Sequence, residues 1–215
     1  MTALRMGTRA SALATTQSGA FAADLSRASG RSVETVIIRT QGDQLSSEGK
    51  APPGGDAAGV FVRALDEALL RNEIDFAVHS LKDVPTVLAA GVRLAAVPLR
   101  ADGRDAFVVA SRHAGVTTVA GLPQAARVAT SSPRRVSQLL RIRPDLVTVA
   151  MAGNVDTRLQ RLEEGRADAL ILACAGLDRL SRGGVITRRL EADEMLGAPA
   201  QGALGVGCRE DDAET

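Results

Sequence analysis

Apolar positions along the start of the chain alternate between two periods. Leu4 to Thr8 is short and extended, and after Ser11 the residues Leu13, Gln17, Phe21 and Leu25 recur every fourth position. That stripe predicts a helix starting on a Ser N-cap and stopping at Gly30. Val33 to Thr40 (VETVIIRT) is β-branched and predicts a strand, so the opening is β-α-β. Gln41 to Gly59 is polar, rich in Gly, Pro and Ser and without period, a long loop of the kind that forms a lid. From Val60 to Asn72 the helical period returns, with Phe61, Ala64, Leu65, Ala68 and Leu69 on one face. Ile74 to Leu81 and Val92 to Val97 then predict strands.

A polar, Gly-containing stretch from Arg100 to Asp105 predicts a crossing between domains. Beyond it a second set follows, with strands expected at Ala106–Ala110, Arg127–Thr130, Leu146–Ala150 and Ala169–Ala173. Helices are expected at Arg134–Arg141, Val155–Glu164 and Gly176–Leu180, with Gly165 as a C-terminal stop. Strands alternating with helices imply mostly parallel sheets. The expected architecture is two α/β lobes, residues 1–100 with about 200–215 and residues 101–199, and a ligand cleft between them.

Composition narrows the function. The 215 residues carry 26 Lys plus Arg against 25 Asp plus Glu, a formal charge of +1, which argues against a protein that lives on phosphate backbones. Four Phe and no Trp or Tyr leave no base-stacking platform, so no nucleic-acid partner is expected. No apolar run approaches the roughly 20 residues that span a bilayer, and the N-terminus lacks a signal-peptide layout, so no membrane partner and a cytoplasmic location are expected. Cys174 and Cys208 have no metal-ligand spacing and read as reduced, buried thiols; no metal is expected. Of the basic residues 24 are Arg, and Lys50 and Lys82 are the two lysines, which singles Lys82 out.

The chemistry gathers where strands run out into helices. His79-Ser80-Leu81-Lys82-Asp83-Val84-Pro85 follows an apolar strand, and Pro85 restricts Val84 to extended geometry, placing Lys82 and Asp83 on a defined ribbon. Thr130-Ser131-Ser132-Pro133-Arg134-Arg135 opens a helix with Ser132 as N-cap and Pro133 at the first position. Cations in a first turn oppose the helix dipole, an arrangement that makes sense with an anion there. Gly153-Asn154-Val155-Asp156-Thr157-Arg158 and Thr8-Arg9-Ala10-Ser11 are two more such junctions. Arg at the same topological place in three of the four points to a polyanionic ligand.

These segments resemble the first two domains of the porphobilinogen deaminase (hydroxymethylbilane synthase) family. The resemblance rests on GTRASALATTQ, GVFVRALDEALL, AVHSLKDVP, RDAF, ATSSPRR, GNVDTRL, DALILACAGLDRL and APAQGALGVGCR, in that order from Arg5 to Arg209. It implies two lobes like a type II periplasmic binding protein, with the segment near Ala203 to Cys208 returning as a strand to the first lobe. It also implies a cytoplasmic, monomeric transferase of tetrapyrrole and heme biosynthesis. Such an enzyme joins four porphobilinogen molecules into hydroxymethylbilane and releases ammonia, on a covalently held dipyrromethane primer.

By the same resemblance Asp83 is the catalytic carboxylate. Arg9, Ser11, Ser80, Lys82, Thr130, Ser132, Arg134, Arg135, Gly153, Asn154, Arg158 and Arg179 hold the acetate and propionate arms. Three departures stand out. The family's third α+β domain and its primer-anchoring cysteine are not matched, and neither Cys174 nor Cys208 lies in the anchoring motif. Ala58 stands where the family's loop has a lysine, and Ala152 where the family usually has Arg. Two alternative readings remain: a repurposed enzyme that activates one porphobilinogen for another nucleophile, and a non-catalytic cytoplasmic module that binds a small polycarboxylate.

Overall fold

A computed structural model of the chain describes residues 3–40 and 58–215. The expected loop from Gln41 to Gly59 lies almost wholly outside the described residues, and so does the side chain of Ala58. Contacts divide the described residues into two compact units: residues 3–40, 58–101 and 203–215 form unit one, and residues 102–202 form unit two.

Unit one begins with β1 (Leu4–Arg9), α1 (Ala12–Ser29), β2 (Val33–Ile38), α2 (Ala58–Leu70), β3 (Phe76–Ser80) and β4 (Val92–Ala96). Unit two holds β5 (Asp105–Val109), β6 (Arg127–Ala129), α3 (Pro133–Ile142), β7 (Val147–Val149), α4 (Val155–Glu163), β8 (Ala169–Ala173), α5 (Cys174–Arg179) and β9 (Arg188–Leu190). The chain then returns to unit one as β10 (Leu204–Arg209).

The sheet of unit one has the order β2-β1-β3-β10-β4. β1 runs parallel to β2 and β3, while β10 lies antiparallel between β3 and β4. Side chains alternate across it to feed two cores. Met6, Phe76, Val78 and Val206 pack with Phe21 and Leu25 of α1 on one face, and Ala77 and Val92 pack with Leu65, Ala68 and Leu69 of α2 on the other. α1 is bounded as its sequence dictates: the Ser11 side chain accepts from Ala14 N at 3.3 Å, and Gly30 closes the helix at φ 69°.

Unit two repeats the layering with the order β7-β6-β8-β5-β9. β6 is parallel to β7 and β8, and β5 is antiparallel to β8 and β9. Val108, Ala129, Leu170 and Leu172 face Leu159 and Leu162 of α4 and Leu177 of α5, and Phe107, Val128 and Ile171 face Leu139 of α3. The two-lobed α/β expectation is therefore met by two five-stranded sheets, each with a core on both faces.

Two local expectations are corrected. The sheets are mixed rather than mostly parallel, because β10 and β5 enter against their neighbours. Lys82 and Asp83 sit in a single 3-10 turn, Leu81–Asp83, rather than on an extended ribbon. Val84 after it is extended, at φ −81° and ψ 129°, as Pro85 requires.

Candidate functional site

In unit one the parallel strands β1 and β3 end at the same edge, so their following residues converge. β1 delivers Arg9 and the N-cap Ser11; β3 delivers Ser80 and then the 3-10 turn carrying Lys82 and Asp83. β10 starts beside them, with Leu204 opposite Ser80 and Leu81 N donating to Ala203 O at 3.0 Å, which pins the turn to the sheet. A cavity of about 20 Å³, the room of a single water, is lined by Arg9, Gln17, Phe61, His79, Ser80 and Asp83 among others. The Arg9 guanidinium lies over the Phe61 ring at 3.8 Å, and Ser80 Oγ donates to Gln17 Oε1 at 3.3 Å.

The electrostatics of this cavity set the protonation of its members. Burial pushes the Asp83 carboxyl above the usual carboxylate range, while the charges of Lys82 and Arg9 pull the other way. Burial, helped by the Arg9 charge, holds His79 down at about 4. His79 is therefore a neutral imidazole at pH 7, and Lys82 and Arg9 supply the local positive charge. A carboxyl whose ionisation is opposed by burial and favoured by neighbouring cations can do acid-base work on a substrate that becomes cationic.

In unit two β6, β7 and β8 also end at one edge. They deliver Thr130, Ser132, Arg134 and Arg135, then Gly153, Asn154 and Arg158, then Arg179. β5 starts there, opposite the end of β8, and its first residue Asp105 is fully buried. Asp105 accepts from Arg135 Nη2 at 2.6 Å, Arg134 Nη2 at 2.8 Å and Gln201 Nε2 at 2.9 Å. Burial alone would raise this carboxyl, and the bonds from Arg135, Gln201 and Arg134 overcome that and hold it below its ordinary range. For these Nη atoms the expected anion is thus the chain's own carboxylate.

The other guanidinium contacts given for this edge are with main-chain oxygens. Arg135 also donates to Ile171 O at 3.0 Å, and its Nε is buried without an acceptor among the described residues. Arg158 Nε donates to Gly153 O at 2.8 Å, and Arg161 Nη1 donates to Ala152 O at 2.8 Å. Burial lowers the Arg158 pKa, and the like charges of Arg135 and Arg161 lower it further. Arg179 Nη2 donates to Gly202 O at 2.8 Å, and burial lowers its pKa too. This edge carries more guanidinium than carboxylate, the donor set for an anionic ligand.

Other expected residues shape the edge. Asn154 caps α4 by accepting from Thr157 N at 2.9 Å, and Gly153 at φ 109° makes the turn before it. Thr130 Oγ1 accepts from Ser132 N at 3.2 Å, while the Ser132 side chain makes no capping bond. Asp105, Gln201, Phe61 and Arg161 were not singled out from the sequence. Asp105 had a signal, a lone carboxylate opening the apolar strand DAFVV, but its partners lie about 30 and 96 positions away in sequence.

Cys174 and Cys208 are free and fully buried, and burial pushes the Cys174 thiol up to about 11. Arg93 Nε donates to Cys208 Sγ at 3.4 Å. Among the described residues no His, Cys, Asp and Glu side chains group as a metal site, and no helix is long and apolar enough to cross a membrane.

Residues 4–215 match a family described as "Porphobilinogen deaminase, dipyromethane cofactor binding domain". A porphobilinogen deaminase of Geobacter sulfurreducens is 48% identical over 210 residues, 97% of this chain and 64% of that protein. Porphobilinogen deaminase 1 of Streptomyces coelicolor is 49% identical over 98% of this chain and 65% of its own length. A porphobilinogen deaminase of Micrococcus luteus is 47% identical over 99% of this chain and 59% of its own. The chain thus spans somewhat under two thirds of the relatives it matches. A Bordetella pertussis BvgS VFT2 domain, in a double-mutant form, superposes with a TM-score of 0.50 at 13% identity, covering 96% of this chain and 80% of that one, a likeness of fold alone.

Proposed function

Since the chain belongs to the porphobilinogen deaminase family, we propose that it carries the catalytic and primer-binding portion of a hydroxymethylbilane synthase. Four porphobilinogen molecules are its substrate, ammonia and a linear tetrapyrrole its products. Two observations carry this reading: a desolvated acid, Asp83, under the charges of Lys82 and Arg9 in unit one, and a guanidinium-rich edge in unit two. Pyrroles bearing acetate and propionate arms need both.

In the reaction the aminomethyl C–N bond breaks, the electron pair leaves with nitrogen as ammonia, and the pyrrole ring takes up positive charge. The free α-carbon of a second pyrrole then forms the new C–C bond and loses its proton. Asp83 holds the pyrrole N–H, stabilises the cation as a carboxylate and carries protons between these steps. The charges of Lys82 and Arg9 favour the ionised form of Asp83 against its burial. In this reading Ser11, Ser80 and Arg9 hold substrate carboxylates.

The unit-two residues fit a carboxylate-rich primer: Arg158 is desolvated among like charges, and Arg135 Nε is an orphaned donor. Dipyrromethane supplies the family's reaction with the chain end to which pyrroles are added. Arg134, Arg135, Arg158, Arg179, Thr130 and Ser132 would hold its carboxylates, with Gly153 and Asn154 shaping the turn. The buried Cys174 and Cys208 do not serve as its anchor in this reading. Asp83 disfavours the non-catalytic module, since a carboxylate in an anion site repels the ligand.

Calorimetric titration of the 215-residue chain with porphobilinogen tests the reading. Saturable binding that weakens about tenfold or more in Arg158→Ala is expected, the loss of one hydrogen bond to a charged group. Absence of binding by the wild-type chain would remove it.

A further inference from the structure

Arg158 and Arg161 lie three positions apart on α4, where side chains share a face. Both fold back onto the loop that precedes the helix, Arg158 Nε onto Gly153 O and Arg161 Nη1 onto Ala152 O, each at 2.8 Å. Consecutive carbonyls thus bring two guanidinia to one place, and the charge of Arg161 reaches Arg158 together with that of Arg135. Elsewhere in unit two arginines meet carboxylates: Arg143 with Asp145 at 2.7 Å, Arg112 with Asp168 at 2.8 Å, Arg182 with Asp156 at 3.0 Å. Neither Arg158 nor Arg161 has a carboxylate partner among the described residues.

Bringing a second like charge up to the buried Arg158 costs energy that two carbonyl bonds do not return. The half-buried Arg161 uses one of its N–H groups on Ala152 O, and the rest of its fork meets no acceptor among the described residues. Ala152 itself offers no polar side chain to that corner.

We propose that Arg161 is a further ligand-binding residue of the unit-two edge, forming with Arg158 a two-guanidinium clamp for one pyrrole carboxylate. The role rests on the function proposed above. The bond to Ala152 O holds the fork in place, and the carboxylate neutralises the pair. The clamp selects ligands with an ionised arm at this corner over neutral pyrroles.

The test is calorimetry of the 215-residue chain with porphobilinogen, using Arg161→Ala, Arg161→Gln and Arg161→Lys. Arg161→Ala should weaken binding about 10- to 100-fold, the range for a lost hydrogen bond to a charged group. Arg161→Gln keeps a donor for Ala152 O but loses the charge, and should bind as weakly as Arg161→Ala. Arg161→Lys should recover part of the affinity, and so should Ala152→Arg placed in the Arg161→Ala chain. Wild-type affinity in Arg161→Gln would overturn the proposal, because a loop-holding role needs only the donor. Wild-type affinity in Arg161→Ala would overturn it as well. No binding by the wild-type chain would instead defeat the function on which the proposal rests.

Discussion

Replacing Arg135 by Ala takes one cation from a carboxylate that water does not reach. Asp105 is 0% exposed and the Arg135 side chain 9%, so nothing screens what remains. Removing one partner of such a pair costs about 3–5 kcal/mol, much of it the penalty of the stranded charge. Arg134 and Gln201 still hold Asp105, which places the expected loss near the lower end, about 3 kcal/mol. The loss includes the bond to Ile171 O. Arg134→Ala should cost less, about 1–2 kcal/mol, since its side chain is 25% exposed and Arg135 stays on the carboxylate. Urea unfolding at pH 7, followed by circular dichroism, reads both. Asp105 titrates below its ordinary range when folded, so its contribution is complete above the unfolded carboxylate pKa of about 4 and fades as the pH falls below it. The gap between wild type and Arg135→Ala should therefore narrow in acid. A loss under about 1 kcal/mol in Arg135→Ala, with the fold intact, would refute the buried ion cluster.

Asp66, 9% exposed in a cavity of about 230 Å³ beside Arg63 and Glu67, is raised by burial from 3.8 to about 6. The folded state binds that proton more tightly, so stability falls by about 3 kcal/mol as pH rises through this window; Asp66→Asn should abolish the slope and be the more stable chain at pH 7. Gly197→Ala should destabilise by about 1–3 kcal/mol in thermal melts, since its Cβ would lie 2.5 Å from Gly103 O, the carbonyl that Gln201 also binds. Both thiols being buried, the intact mass of the purified chain should equal the bare polypeptide, and an increment that survives denaturation would show a covalent primer.

Elements with a strong local signal were legible in the sequence: the Ser11 to Gly30 helix and the Pro133 start of α3 follow from caps and a proline, whereas the return of β10 came from the family resemblance. What stayed hidden depends on distant pairing. That β10 and β5 run antiparallel is set by which strands flank them, and β9 is too short to show a period. The Arg134-Arg135 motif was visible as a cation cluster, but its first partner turned out to be Asp105, which adjacency in sequence could not show. The place of Asp83 just past the end of a strand was legible; its raised pKa comes from burial in the completed fold.

In the proposed function Asp83 does the acid-base work of removing ammonia from porphobilinogen. Ammonia release by the 215-residue chain and by its Asp83→Asn variant, at equal protein and pH 7, measures it. Release by the wild type is expected, with a rate at least about 100-fold lower in the variant, the low end for a positioned acid-base group. Equal rates in the two chains would contradict it.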